Sequence, residues 1–190
     1  MTRQKKGQYG YRDQARRMRL LITLFFIAAI LAQLGARQFL AKEQAAKNIL
    51  TVMAILTVLP MANMASPLLA SWRYRTPGLE FYHKVRGYEE TSVILYDLVL
   101  TTREQILPMD AIAVHPGGVT AFCPKTNLDK NKAEKALNSL FVAGRLDPVV
   151  KILTDEKQFL RRLESLKPAG EYADDGSVEG AAALLKSLSM

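Results

Sequence analysis

Two long apolar runs near the N-terminus constrain this chain more than any other feature. The first, "LLITLFFIAAILAQL", begins at Leu20, extends to Gly35 and Ala36, and holds one polar amide, Gln33. The second, "ILTVMAILTVLPMANMASPLLASW", covers residues 49–72 without a charge. A helix of about 20 residues, rising 1.5 Å per residue, crosses a hydrocarbon layer ~30 Å thick. Residues 20–36 and 49–72 are therefore expected to be transmembrane helices, joined by a connection over residues 37–48. The first is at the short limit, and Arg19 and Arg37 can extend it by reaching to the interfaces. A basic tail before an apolar run also opens a secretory signal peptide. The exit "AQLGARQF", however, offers no small-x-small cleavage site, and a tail of residues 1–19 is long for that role.

The net charge of +8 suggests a nucleic-acid binder until its distribution is read. Residues 1–47 hold ten Lys/Arg against Asp13 and Glu43, and residues 48–190 hold sixteen bases and sixteen acids. The excess is confined to the N-terminal region, so nucleic acid is not an expected partner. The tail instead reads as a cytoplasmic topology signal. Its bases Lys5, Lys6, Arg12, Arg16, Arg17 and Arg19 are expected to contact the anionic surface of the bilayer. Basic residues flank both apolar runs on one side, so both termini are placed in the cytoplasm of a protein integral to the cytoplasmic membrane. The lone Cys123 agrees with a reducing compartment and excludes an internal disulfide framework.

Pro60 and Pro67 lie inside the second run, where neighbouring helices can satisfy the freed carbonyls. Between them Ala62, Asn63, Ala65 and Ser66 form a small, polar helix-packing face. Packing within the hairpin is the plain expectation, and docking of another membrane protein is the alternative.

Beyond Trp72 the composition changes. "RYRTPG" reads as a linker, and residues 79–167 as an α/β domain. A short helix follows Leu79, and strands are expected at "SVILYDLVLT", "MDAIAVH" and "GVTAFCP", the last two joined at Pro116-Gly117-Gly118. A helix follows in "LDKNKAEKALNSLFVAGR", then a strand in "DPVVKILT" and a helix capped by Thr154 or Asp155. A polar linker over residues 168–176 leads to an amphipathic helix over 177–190. The expected fold is an α/β sandwich in the order α-β-β-β-α-β-α plus a C-terminal helix, set behind a two-helix transmembrane hairpin.

That order, with "MDAIAV" followed by "GVTAFCPK", resembles the restriction-endonuclease-like fold, and within it the nuclease-related domain of bacterial proteins. The resemblance covers residues 79–155 and places Asp110 on the family's acid and Lys125 on its lysine. The family's second acid falls on Cys123. Metal-dependent hydrolysis needs hard oxygen ligands, and a thiolate is soft. The resemblance therefore implies vestigial positions rather than a working site. The whole chain also resembles a group of uncharacterised bacterial two-span membrane proteins sharing "GQYGYR", "SPLLASW(R/K)YRTP" and "DDGSVE", which implies the architecture and no mechanism.

Other chemistries lack their residues. His83 and His115 have no Cys or Glu at ligand spacing, and His115 before Pro116 reads as a turn residue. "HPGG" has no Lys-Ser/Thr after it and is not a phosphate loop. No metal or cofactor is expected. The sequence points to a non-enzymatic membrane-anchored protein that presents a small cytoplasmic domain to a membrane or cytoplasmic protein partner. A membrane-tethered, nuclease-like domain acting on nucleic acid is the alternative.

Overall fold

The computed structural model describes residues 4–39, 43–102, 105–125, 127–147, 149–168, 171–172 and 176–190. The middle of the 37–48 connection, most of the 168–176 linker and the two aspartates of "DDGSVE" lie outside them. The chain divides into two compact units: Gln14–Arg73, and Met1–Asp13 together with Tyr74–Met190.

The first unit is helical. Helix α1 runs Tyr11–Phe39 and α2 runs Gln44–Ser71, both longer than the apolar runs that seed them. Their flanks hold no helix breaker, so the helices continue past the apolar cores. Pro60 and Pro67 sit inside α2 without ending it. The Ser71 hydroxyl donates to the Pro67 carbonyl at 2.7 Å, and Thr57 donates to Met53 at 2.7 Å. Both helices are long and apolar enough to cross a membrane. In the most apolar stretch of α1 no residue is buried, and in that of α2 only 6% are. A core helix of a water-soluble fold would show the reverse. A polar contact between the two helices joins Gln33 to Thr57, Nε2 to Oγ1 at 3.3 Å. The packing face expected at Ala62, Asn63, Ala65 and Ser66 is largely exposed in this structure. Ala62, Asn63 and Ser66 are exposed and Ala65 is half-buried. The Gln33 amide meets a threonine one helical turn before Pro60, and Asn63 lies beyond it.

The second unit is a four-stranded sheet between helices. After α3 (Leu79–Arg86) come β1 (Val93–Thr101), β2 (Ile106–His115) and β3 (Gly118–Phe122). Helix α4 (Lys130–Ala143), β4 (Val150–Leu153), α5 (Glu156–Glu164) and α6 (Ser177–Leu188) follow. The sheet order is β1-β2-β3-β4, with β4 parallel to β3 and the other pairs antiparallel. The mixed α/β class and the element order are those expected. One face packs Leu137 and Phe141 of α4 and Ala182 and Leu185 of α6 over Ile112, Ala121 and Ile152. The other packs Phe81 and Val85 of α3 and Phe159 and Leu163 of α5 over Ala111, Ala113 and Phe122. Asp129 and Asp155 cap α4 and α5 by accepting from Lys132 and Lys157 amides.

β2 begins three residues earlier than the sequence suggests, because Pro108 reads as a strand breaker. Pro108 pairs with Val99, while β3 pairs only from Ala111 onward. At Pro108 β2 has a neighbour on one side alone, so no second ladder loses a donor. The turn to β3 is two residues, Pro116-Gly117, and His115 fastens it. Its Nδ1 accepts from the Gly117 amide at 3.0 Å, which leaves Nε2 to donate to the Lys167 carbonyl at 2.9 Å. Gly118 has φ +128, and a Cβ there would lie 2.8 Å from Val149 Cγ1, so this position admits only glycine.

Both sheet edges are closed. On β4 the outward amides of Val150 and Ile152 donate to Asn138 Oδ1 and Glu134 Oε1 of α4, at 2.9 and 2.8 Å. On β1 the two ends of the chain do the same work. Tyr96 N–H donates to the Gly7 carbonyl at 2.9 Å, and Met190 N–H to Val99 at 3.1 Å. An edge covered in this way cannot recruit a further strand.

Candidate functional site

The sequence directs attention to Asp110, Cys123 and Lys125, and the structure gives Asp110 different company. Register places Tyr96 opposite Ala111 and Leu98 opposite Met109, so Asp97 of β1 faces Asp110 of β2. The pleat breaks at both. Leu95 and Leu98 share one core cluster, as do Met109 and Ile112, although each pair is three residues apart. Regular alternation would put them on opposite faces. Asp97 takes up the break with φ 58, a left-handed conformation that aspartate tolerates better than most residues.

Two buried carboxylates facing each other repel unless a cation joins them. That cation is Arg12, which is only 6% exposed. Its Nη1 donates to Asp110 Oδ1 at 2.9 Å and to the Arg75 carbonyl at 2.6 Å. Its Nη2 donates to the Met109 carbonyl at 2.9 Å, and Nε lies 4.0 Å from Asp97 Oδ1. Asp97 Oδ2 accepts from the Gly10 amide at 2.7 Å and from the Thr76 hydroxyl at 2.8 Å. This carboxylate therefore sits at the first turn of α1, where the helix dipole favours negative charge. Burial pushes both carboxyls above their usual range, and Arg12 pulls them back down. Arg12 Nε, Asp97 Oδ1 and Asp13 Oδ1 are buried without a hydrogen-bond partner among the described residues.

Arg12 was expected at the membrane surface with the other tail bases, and this is a correction. The buried acids of β1 and β2 demand a cation more strongly than lipid does. Lys6 and Tyr9 join Arg12 in the domain. Tyr9 stacks on Tyr82 at 4.2 Å, meets Tyr96 edge-on at 6.4 Å, and donates to the Pro77 carbonyl at 2.7 Å. Lys6 Nζ donates to the Ser189 carbonyl at 2.5 Å. Lys5 and Arg17 are exposed, Arg19 is partly so, and Arg16 lies 5.1 Å over the Trp72 ring.

The remaining nuclease-like positions are also occupied. Continuing the register beyond Ala111 and Phe122 sets Cys123 opposite Asp110. The thiol is fully buried, and that burial raises its pKa. Lys125 donates to the Ile106 carbonyl at 3.3 Å. Asp110 and Cys123 are thus brought together. A guanidinium already fills the place on Asp110 that a cation would take. No family model matches this chain, and no curated protein or solved structure is significantly similar to it.

Proposed function

We propose that this protein is a membrane-anchored, non-enzymatic module whose hairpin α1–α2 crosses the bilayer twice and returns the chain to the side it left. The observation that carries this reading is the joining of Gly7, Tyr9 and Arg12 to strands that follow α2 in the chain. Segments on either side of the helices can share one fold only if they share one compartment. An even number of crossings satisfies that, and removal of α1 as a signal peptide would take Arg12 with it. The basic flanks assign the shared compartment to the cytoplasm. Arg16, Arg17 and Arg19 then stand at the inner surface, beside lipid, and the α/β domain is offered to a protein partner there.

Labelling tests the topology. Native Cys123 is buried and silent, so introduced thiols are needed. In intact cells an impermeant thiol reagent is expected to label Glu43→Cys in the connection. It should label Lys157→Cys on α5 only after permeabilisation. Both residues are exposed. The inverted pattern would overturn the orientation, and equal protection of both would overturn the two crossings.

The nuclease-like reading is supported by the element order and by Asp110 and Cys123 lying opposite each other on adjacent strands. It requires Mg²⁺- or Mn²⁺-dependent cleavage of DNA or RNA by the full chain. We expect none, since Asp110 is held by Arg12. Cleavage lost in Asp110→Asn, with the sheet amides still protected, would reverse the two readings.

A further inference from the structure

The groove between α5 and the β3–β4 pair is lined by three bases and no acid. Lys151 of β4 and Arg161 and Arg162 of α5 line an open groove of about 450 Å³, with Leu153 as its apolar floor. None of the three is ion-paired among the described residues. The acids at the ends of α5 are turned to other partners. Asp155 caps the helix, Glu156 takes Lys84 at 3.2 Å, and Glu164 accepts from Tyr88 at 3.2 Å. Thr120 of β3 also lines the groove. It is 6% exposed, and its hydroxyl makes no hydrogen bond among the described residues. Like charges gathered in a concavity repel one another.

One kind of ligand answers all of these features. We propose that the groove between α5 and the β3–β4 pair binds a phosphate-bearing ligand. The guanidinium groups of Arg161 and Arg162 and the Lys151 ammonium hold the phosphate, and the Thr120 hydroxyl donates to it. An arginine fork matches phosphate oxygens two at a time, and the volume suits a small organic phosphoester. Leu153 and the aliphatic stems of the bases accommodate an apolar portion beside the charge. A soluble phosphoester and a phospholipid headgroup share this chemistry. The proposal concerns the α/β unit alone and does not depend on the topology proposed above.

The test uses the full chain in nanodiscs of phosphatidylcholine, titrated calorimetrically with inorganic pyrophosphate. Saturable binding is expected. Arg161→Ala with Arg162→Ala should weaken it by at least about tenfold, the scale of a lost charge-assisted contact. Thr120→Val should weaken it less, and Lys157→Ala, a base on the same helix outside the groove, should leave it unchanged. Phosphatidic acid in the nanodiscs that competes with pyrophosphate would support a headgroup source, and absence of competition a soluble one. Three results would overturn the proposal. The first is no saturable binding to either phosphate source, and the second an equal loss in Lys157→Ala. The third is affinity for an oligonucleotide that rises with its length, which would assign the groove to nucleic acid.

Discussion

Arg12→Ala is expected to destabilise the α/β unit by about 3–5 kcal/mol, the usual consequence of removing one partner from a buried ion pair. The substitution strands Asp97 and Asp110 face to face, both buried, and also frees the Met109 and Arg75 carbonyls. The effect carries a pH signature. Burial raises both carboxyls above their ordinary value of 3.8, against the attraction of Arg12. The folded chain then holds these protons more tightly than the unfolded chain. Stability from this source is full below that ordinary value and falls as the pH rises through the raised folded values. Without Arg12 the carboxyls rise further, so the deficit should be smallest in acid and grow toward neutral pH. Amide exchange across β1 and β2, followed at several pH values, measures both parts. A deficit that does not change with pH would mean that packing, not charge, is what Arg12 supplies. Combining Arg12→Met with Asp97→Asn and Asp110→Asn should recover most of the loss, since buried charges replaced together leave none unpaired.

How far the sequence reveals this fold depends on the range of the forces. The strands of "SVILYDLVLT" and "GVTAFCP" and the stripe of α4 are written in local apolar spacing, and they form where that spacing places them. The caps of α4 and α5 are similarly local. The start of β2 was hidden because Pro108 is a breaker unless one side of its strand is vacant, and vacancy is a property of the assembled sheet. The tail was hidden for a stronger reason. Arg12 and Asp110 are 98 positions apart, and so specific a pairing leaves no period behind. One local sign did exist. Asp97 interrupts the apolar strand "VILYDLVL", and a carboxylate at such a position needs a partner. The sequence offers twenty-six bases and no means of choosing among them. The glycines of "GQYGYR" are equally mute alone. Gly7 has φ +90 and Gly10 φ +86, conformations that favour glycine, and their backbones bond Tyr96 and Asp97.

If the tail is part of the domain, residues 74–190 alone should not fold stably. That fragment loses the Arg12 ion pair, the Gly7–Tyr96 bridge and the Tyr9 stack together. Burial of a tyrosine with its ring contacts adds roughly 1–3 kcal/mol to the ion pair's share. The sum approaches the 5–15 kcal/mol that holds an ordinary domain together. The two apolar helices should be dispensable for that fold by the same logic. Arg12 reaches the Arg75 carbonyl at 2.6 Å, so the two ends of the missing segment lie close. A chain of residues 4–13, about six Gly/Ser residues and residues 74–190 should fold in water without detergent, since such a linker reaches about 20 Å. Protected sheet amides in the linked chain and none in the bare fragment are the expected pair of results. Equal protection in both would show that the tail only decorates a finished sheet. On the two-crossing reading the dependence has a use. The domain cannot close until both helices have inserted and the chain has come back to its tail. A wrongly inserted hairpin leaves Asp97 and Asp110 without their cation and the sheet open at β1.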